Sequence, residues 1–129
     1  MPLEKNKPIL IVDDYKTMLR IVRNILNQLG YTLVDEATDG SMAFDMIQEK
    51  QYQLVISDWN MQPMSGYELL VKIRADEKHK TLPFIMVTAE TKPENVLKAK
   101  QAGVNNYIIK PFNAQTLKTK LEAVFGPLR

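Results

Sequence analysis

Five side chains that could take part in phosphoryl or metal chemistry lie at the ends of four short apolar runs. They are Asp13 and Asp14 after residues 9–12, Asp58 after 54–57, Thr88 after 84–87 and Lys110 after 107–109. Short runs rich in valine and isoleucine are typical of buried parallel strands. In an open parallel α/β sheet, ligands bind outside the carboxyl ends of the strands. If these strands are neighbours, three carboxylates, a hydroxyl and an ammonium group meet at one edge.

Three carboxylates in one small site repel one another, which favours a bound cation between them. The sequence has no cysteine, and its one histidine, His79, lies in a polar stretch. The available ligands are therefore oxygen atoms, which suit Mg²⁺ or Mn²⁺ better than zinc. Because Mg²⁺ is often shared with phosphate oxygens, the cluster also indicates a substrate that carries a phosphoryl group.

A carboxylate can itself be the nucleophile and form an aspartyl phosphate. Asp58 is the better candidate, because it stands alone at a strand end, whereas the adjacent Asp13 and Asp14 suit metal binding. Phosphoryl transfer needs positioning and charge neutralisation more than covalent chemistry from the protein. Lys110 could supply a positive charge to a phosphoryl oxygen, and Thr88 could donate a hydrogen bond to another.

The elements that must position these side chains alternate between apolar runs and amphipathic segments. Helices are predicted over residues 15–29, 39–50, about 66–75, 91–102 and from 113 onward, with a weaker strand over 32–37. Gly30 and Gly103 are predicted to end the first and fourth helices. Five strand–helix repeats predict a parallel sheet with helices on both faces and right-handed crossovers.

Three helix starts carry cap signals. Asp39 and Asn113 are predicted to cap the second and fifth helices. The segment Thr91-Lys92-Pro93-Glu94 is interpreted as a capping box, with Thr91 as the cap and Glu94 bonding back to it.

Length and composition indicate one domain of an ordinary soluble type. The 129 residues suit a single core over residues 1–129, with no separate output domain. A net charge of +2, from 17 basic and 15 acidic side chains, does not favour nucleic acid or membrane surfaces. No apolar stretch approaches the ~20 residues that span a bilayer, and the first seven residues do not resemble a signal peptide. A cytoplasmic protein is therefore expected.

Four segments together resemble the motifs of one family. They are Val-Asp-Asp at 12–14, Asp-Trp-Asn-Met at 58–61, Val-Thr-Ala-Glu at 87–90 and Tyr-Ile-Ile-Lys-Pro-Phe at 107–112. In combination they resemble the response-regulator receiver domains, and in detail the CheY-like chemotaxis receivers, over residues 7–125. The resemblance implies a flavodoxin-like receiver fold, a doubly wound five-stranded parallel sheet in the order 2-1-3-4-5 with five helices.

The resemblance also implies a role for each site residue. Asp58 is expected to be the phosphoacceptor, Lys110 the phosphoryl-binding lysine and Thr88 the switch hydroxyl. Mg²⁺ is expected to bind Asp13, Asp14, Asp58 and the backbone carbonyl of Asn60. The Lys110–Pro111 bond is expected to be cis.

The implied partners are a chemotaxis-type histidine kinase as phosphodonor and a flagellar motor switch protein, or another protein, as target. Such receivers catalyse their own phosphorylation and dephosphorylation and are not enzymes acting on a separate substrate.

The Tyr107 side chain is expected to lie outward without phosphate. It is expected to swing inward when Thr88 moves toward the phosphate. That motion would change the surface of the fourth helix, fifth strand and fifth helix. The alternative for Tyr107 is an ordinary half-buried strand aromatic. A monomer is expected.

Other functions remain as alternatives. The chain could be a phosphate sink or the regulator of a non-motor protein. An aspartate-nucleophile phosphatase is less favoured, because such enzymes usually carry a second acid two residues past the nucleophile, where this chain has Asn60. A nucleotide-binding flavodoxin-like protein is disfavoured, since no glycine-rich loop follows the first strand. One local departure from the receiver pattern is a proline displaced by one position, at Pro63, which leaves the conformation of residues 61–64 open.

Overall fold

The structure, a computed structural model, describes residues 2–89 and 91–128 as five strands alternating with five helices. In chain order the elements are β1 Ile9–Val12, α1 Lys16–Gln28, β2 Val34–Ala37, α2 Gly40–Glu49, β3 Leu54–Ser57, α3 Gly66–Ala75, β4 Phe84–Thr88, α4 Pro93–Gln101, β5 Asn106–Ile109 and α5 Ala114–Phe125. The predicted alternation is confirmed, and the ends of the predicted elements agree with the structure or differ by at most two residues.

The five strands form one parallel sheet in the order β2-β1-β3-β4-β5, as expected. The strand sequence doubles back at β1, so the first crossover runs to one side and the later crossovers to the other. The resulting switch point lies between β1 and β3, which is where a doubly wound sheet binds its ligands. In register, Val12 of β1 pairs with Ser57 of β3.

Two apolar cores cover the two faces of the sheet, because successive strand residues point to opposite sides. One core joins strand residues such as Ile11 and Ile56 to α1 and α5. The other joins Leu10, Val55 and Phe84 to α2, α3 and α4. With both faces buried, the strands read as continuous apolar runs, which is why they could be recognised from the sequence.

Two of the three helix caps predicted from the sequence are confirmed. Asp39 accepts a hydrogen bond from the Met42 N–H at 3.0 Å, and Asn113 accepts one from the Thr116 N–H at 2.9 Å. Gly30 and Gly103 follow α1 and α4 with positive φ angles of 101° and 96°, as predicted for helix ends.

The predicted capping box at Thr91 is wrong. Lys92 occupies the N-cap position of α4 and makes no side-chain cap bond there, and Pro93 is the first helical residue. Proline suits the first helical position because its missing N–H would be unpaired there in any case. That preference places the helix start one residue later than Thr91 and moves Glu94 out of capping register.

Within residues 2–89 and 91–128, none of the helices has the length and apolar character required to span a bilayer.

Candidate functional site

The register of β1 and β3 brings Asp13 and Asp58 together. Each aspartate follows one of the paired residues Val12 and Ser57. The Asp58 N–H continues the ladder by donating to the Val12 carbonyl oxygen at 2.9 Å. Both side chains are buried, with 4% of Asp13 and 8% of Asp58 exposed. Two adjacent central strands therefore end in two buried carboxylates, as the sequence predicts.

Lys110 joins these two carboxylates from the end of β5. Its N–H donates to the Thr88 carbonyl oxygen at 2.9 Å, which ties the start of its loop to the end of β4. Its Nζ lies 3.1 Å from Asp13 Oδ2 and 3.5 Å from Asp58 Oδ1. The Lys110–Pro111 bond is cis, as expected from the resemblance. The lysine is thus placed where it can bind an anion held on Asp58.

A third carboxylate completes the cluster. Asp14 is exposed, yet oxygen atoms of Asp13, Asp14 and Asp58 all lie within 4.8 Å of one another. The Tyr15 N–H donates to Asp13 Oδ1 at 2.9 Å, which fixes the Asp13 carboxylate at the start of α1. The structure therefore assembles all three of the predicted acids at one point.

The electrostatics of the cluster disfavour an ionised Asp58. Burial raises the pKa of Asp58 above its usual value, and the neighbouring Asp13 carboxylate raises it further. The Lys110 ammonium and the backbone N–H of Trp59 oppose this rise in pKa without cancelling it. The single positive charge of Lys110 therefore does not offset the burial of Asp58 and its repulsion by Asp13.

The donor set fits a hard divalent cation. All three side chains offer carboxylate oxygens, the ligands that Mg²⁺ prefers, and the partly exposed rim leaves room for water ligands. The raised pKa of Asp58 points the same way, because a divalent cation would offset the carboxylate repulsion. Asn60, whose carbonyl is a further predicted ligand, is exposed two residues beyond Asp58.

The loop after Asp58 is held by backbone contacts that the sequence analysis missed. The Gly66 N–H donates to the Trp59 carbonyl oxygen at 2.8 Å, and a Cβ atom at Gly66 would lie 1.9 Å from the Asp58 carbonyl oxygen. The Ser57 hydroxyl donates to the same Asp58 oxygen at 2.8 Å. Ser65 begins α3 with a capping box to Glu68. The Ser-x-x-Glu pattern was present in the sequence as a signal, whereas nothing in it reveals the role of Gly66.

The displaced proline is accommodated within this loop. The Gln62–Pro63 bond is cis, Met61 is buried, and the Met64 carbonyl oxygen accepts the Gly40 N–H at 3.0 Å. Residues 61–64 are therefore fixed against α2, and Asp58 keeps its place at the end of β3.

Thr88 and Tyr107, the predicted switch residues, lie on adjacent strands. Tyr107 pairs in register with Met86, two residues before Thr88, so Thr88 continues the same face of the sheet. Thr88 is fully buried, and Tyr107 is 9% exposed in the core that contains α4. The structure shows Tyr107 in the buried one of its two predicted positions. The movement between the two positions remains a prediction.

Comparison with known proteins agrees with this geometry. The family described as the response regulator receiver domain matches residues 9–122. The chain is 53% identical over 126 residues to the chemotaxis protein CheY-3 of Vibrio cholerae, covering 98% of this chain and 97% of that one. It is 50% identical over 117 residues to the chemotaxis protein CheY of Pseudomonas aeruginosa, covering 91% and 94%.

Solved structures share the fold. The chemotaxis response regulator CheY4 of Vibrio cholerae is 35% identical, with a TM-score of 0.84 over 92% of this chain and 98% of that one. The receiver domain of a sensor histidine kinase from Pseudomonas aeruginosa, which has a magnesium ion coordinated in its active site cleft, is 29% identical, with a TM-score of 0.83 over 93% and 98%. The chain therefore belongs to the response regulator receiver domain family and is a CheY-like chemotaxis receiver.

Proposed function

We propose that this receiver accepts a phosphoryl group on Asp58 from a histidine kinase and uses it to switch its affinity for a protein target. The observation that carries the proposal is the placement of Asp58 itself. Its buried carboxylate ends a central strand, 3.5 Å from the Lys110 ammonium and within one cluster of acids. A buried nucleophile with a cation beside it is the arrangement that acyl phosphate formation requires.

The transfer begins when an oxygen of Asp58 attacks the phosphorus of the phosphohistidine. A P–O bond forms while the P–N bond breaks, and the imidazole of the kinase leaves. Lys110 binds a phosphoryl oxygen, and the Thr88 hydroxyl donates to another. Hydrolysis reverses the state, since water attacks phosphorus, the P–O bond to Asp58 breaks and inorganic phosphate leaves. The protein thus catalyses both changes on itself and needs no separate substrate pocket.

The metal in this proposal is Mg²⁺, held by Asp13, Asp14, Asp58 and the backbone carbonyl of Asn60. When bound, it supplies positive charge that neutralises the phosphoryl oxygens and the crowded carboxylates. The three carboxylates within 4.8 Å of one another support this assignment, as does the magnesium ion in the similar receiver from Pseudomonas aeruginosa.

For the output, we propose a flagellar motor switch protein as the target. Support comes from the relatives at 50% and 53% identity, which are named as chemotaxis proteins. The proposed contact surface comprises α4, β5 and α5. Binding of a motor switch peptide, measured with and without phosphorylation, tests this output. An affinity that phosphorylation leaves unchanged would favour a phosphate sink or a non-motor target.

The phosphoacceptor is tested with acetyl phosphate, Mg²⁺ and intact mass measurement. Wild type should gain one phosphoryl group, and Asp58→Asn should gain none. Asp45→Asn, which removes an exposed carboxylate from α2, is the matched control and should behave as wild type. If Asp58→Asn gains a phosphoryl group at the wild-type rate, the proposed acceptor is wrong.

A further inference from the structure

The helix α4 is the least firmly packed helix next to the site. Ala99 is its one fully buried residue, whereas α1 and α3 each bury four residues. Leu97 of α4 is 54% exposed. A helix with so little buried apolar surface is held in part by its polar and aromatic contacts.

One of these contacts fixes the carboxyl end of α4. Arg74, near the end of α3, donates from Nε and Nη2 to the Gly103 carbonyl oxygen at 3.0 and 2.9 Å. It also donates to Asn105 Oδ1 at 3.0 Å and to the Leu82 carbonyl oxygen at 2.6 Å. The same Asn105 oxygen accepts the Phe84 N–H at 2.8 Å, so this end of α4 is bonded to the start of β4.

A second contact holds the last turn of α4 and connects it to the residue next to the phosphoacceptor. Lys98 Nζ lies 4.5 Å from the ring centre of Tyr67, in the first turn of α3. The Tyr67 ring stacks on Trp59 with 5.3 Å between ring centres and 14° between planes. The backbone N–H of Trp59 lowers the pKa of the adjacent Asp58 carboxyl, and the Trp59 carbonyl oxygen accepts the Gly66 N–H at 2.8 Å.

We propose that Lys98, Tyr67 and Trp59 form a latch that holds α4 against α3 and reports the state of Asp58 to that helix. Lys98 lies in the last turn of α4, next to the segment that Arg74 holds, so loss of the latch loosens the hydrogen bonds of that turn. A phosphoryl group on Asp58 changes the charge next to the backbone N–H of Trp59. The stacked rings carry that change to Lys98. This coupling to phosphorylation rests on the proposed function, whereas the latch itself does not.

The latch is tested first in the unphosphorylated protein. Lys98→Gln removes the charge at a similar helix propensity. A cation–π contact at an exposed site corresponds to roughly a two- to fivefold change in an equilibrium constant. Hydrogen exchange of α4 amides 96–102 should therefore quicken by roughly two- to fivefold. Lys98→Arg, which keeps the cation, should exchange as wild type does.

Two matched controls separate the latch from a general loss of charge. Lys100→Gln removes another exposed lysine of α4. Lys72→Gln removes an equivalent contact, 4.6 Å over the Phe44 ring, which joins α3 to α2 instead. Neither should change exchange in α4. Because Trp59 is the single tryptophan, its acrylamide quenching also reports on the stack and should rise in Tyr67→Leu. If Lys98→Gln exchanges as Lys100→Gln does, no latch exists.

The coupling is tested by repeating the exchange measurement after acetyl phosphate and Mg²⁺, with occupancy of Asp58 checked by mass. Phosphorylation should quicken α4 exchange in wild type and in Lys100→Gln, and should do so less in Lys98→Gln. An equal response in the two variants would overturn the coupling while leaving the latch. Failure of wild type to be phosphorylated would overturn the proposed function instead, a result that the mass measurement shows separately.

Discussion

Asp58 carries a thermodynamic cost that can be measured apart from any phosphorylation. Its folded-state pKa is raised by burial and by Asp13, so ionisation disfavours the folded state. Asn mimics the neutral carboxyl. In EDTA, Asp58→Asn should match wild type in stability well below about pH 3.9, the ordinary pKa of Asp, where Asp58 is protonated in both the folded and the unfolded wild type. As pH rises to the raised pKa the variant should become more stable, by about 1.4 kcal/mol for each unit of pKa difference.

Urea unfolding of both proteins from about pH 3 to pH 8 gives this difference directly. Asp45→Asn, at an exposed position on α2, is the control for the loss of a surface charge and should show no comparable gain. A wild type that stays as stable as Asp58→Asn at pH 8 would contradict the raised pKa.

Mg²⁺ should reverse this cost, because it binds the folded site and not the unfolded chain. By mass action, a concentration one hundred times the dissociation constant stabilises by about 2.7 kcal/mol. Thermal melts with added MgCl₂ should show this gain in wild type, and Trp59 fluorescence should change with the same midpoint. NaCl at matched ionic strength controls for screening of the acidic cluster.

Asp13→Asn removes one proposed ligand and should lose most of the Mg²⁺-dependent gain. Asp45→Asn should keep it. Melts and fluorescence that do not respond to Mg²⁺ in wild type would contradict the metal site, whatever the behaviour of the variants.

At the scale of the elements, the start of α3 is fixed by a close backbone approach. A Cβ atom at Gly66 would lie 1.9 Å from the Asp58 carbonyl oxygen, so Gly66→Ala should force the β3–α3 loop apart. We expect a loss of about 3 kcal/mol or more in urea unfolding. Gly126→Ala is the matched control. Gly126 has a φ of 83° with open space around its Cβ position, so it should lose about 1–3 kcal/mol through backbone strain alone.

Gly66→Ala should also slow phosphorylation, because the oxygen it displaces belongs to the phosphoacceptor. Gly126→Ala, beyond α5, should be phosphorylated at the wild-type rate. Equal losses in stability and rate for the two variants would mean that the loop yields to the new methyl group.

The same elements show what a sequence can reveal. Strand ends at Asp13, Asp58 and Lys110 were predictable, because a parallel sheet buried on both faces gives continuous apolar runs that stop abruptly. Caps at Asp39 and Asn113 were predictable too, since they depend on residues only three positions apart. Helix α4 was placed one residue early because Thr91 and Pro93 offered competing start signals.

Contacts between distant segments were not predictable. The Lys98–Tyr67–Trp59 latch joins α4, α3 and the loop after β3, and its members have no shared spacing in the sequence. The close approach of Gly66 to the Asp58 carbonyl oxygen depends on where that oxygen points, which follows from tertiary structure alone. Such contacts arise from tertiary packing, and the helix and strand propensities of single residues do not predict them.

In the whole molecule, the phosphoacceptor lies at one edge of the sheet while the proposed target surface lies beside it. Two sets of contacts could join them. One is the latch through Trp59. The other runs through Thr88 and Tyr107, which share a face of adjacent strands, and Tyr107 lies in the same core as Ala99 of α4. A ligand shifts such a system only by its differential affinity for two states, so phosphate and target must each favour the same state.

Thr88→Ala tests the second set of contacts. Removing the hydroxyl should leave phosphorylation of Asp58 largely intact by mass, because Lys110 and the acid cluster remain. It should reduce the phosphorylation-dependent gain in target affinity, since Tyr107 then has no moving partner that favours its buried position. Thr88→Ser keeps the hydroxyl at this fully buried site and should retain most of the gain. Titration of a motor switch peptide against each phosphorylated protein measures the effect.

Because linkage is reciprocal, the peptide should also bias wild-type Tyr107 toward the buried position, and should do so less in Thr88→Ala. A Thr88→Ala protein that gains as much affinity as wild type would show that the signal leaves Asp58 without Thr88. The Lys98–Tyr67–Trp59 latch would then be the contact that carries it.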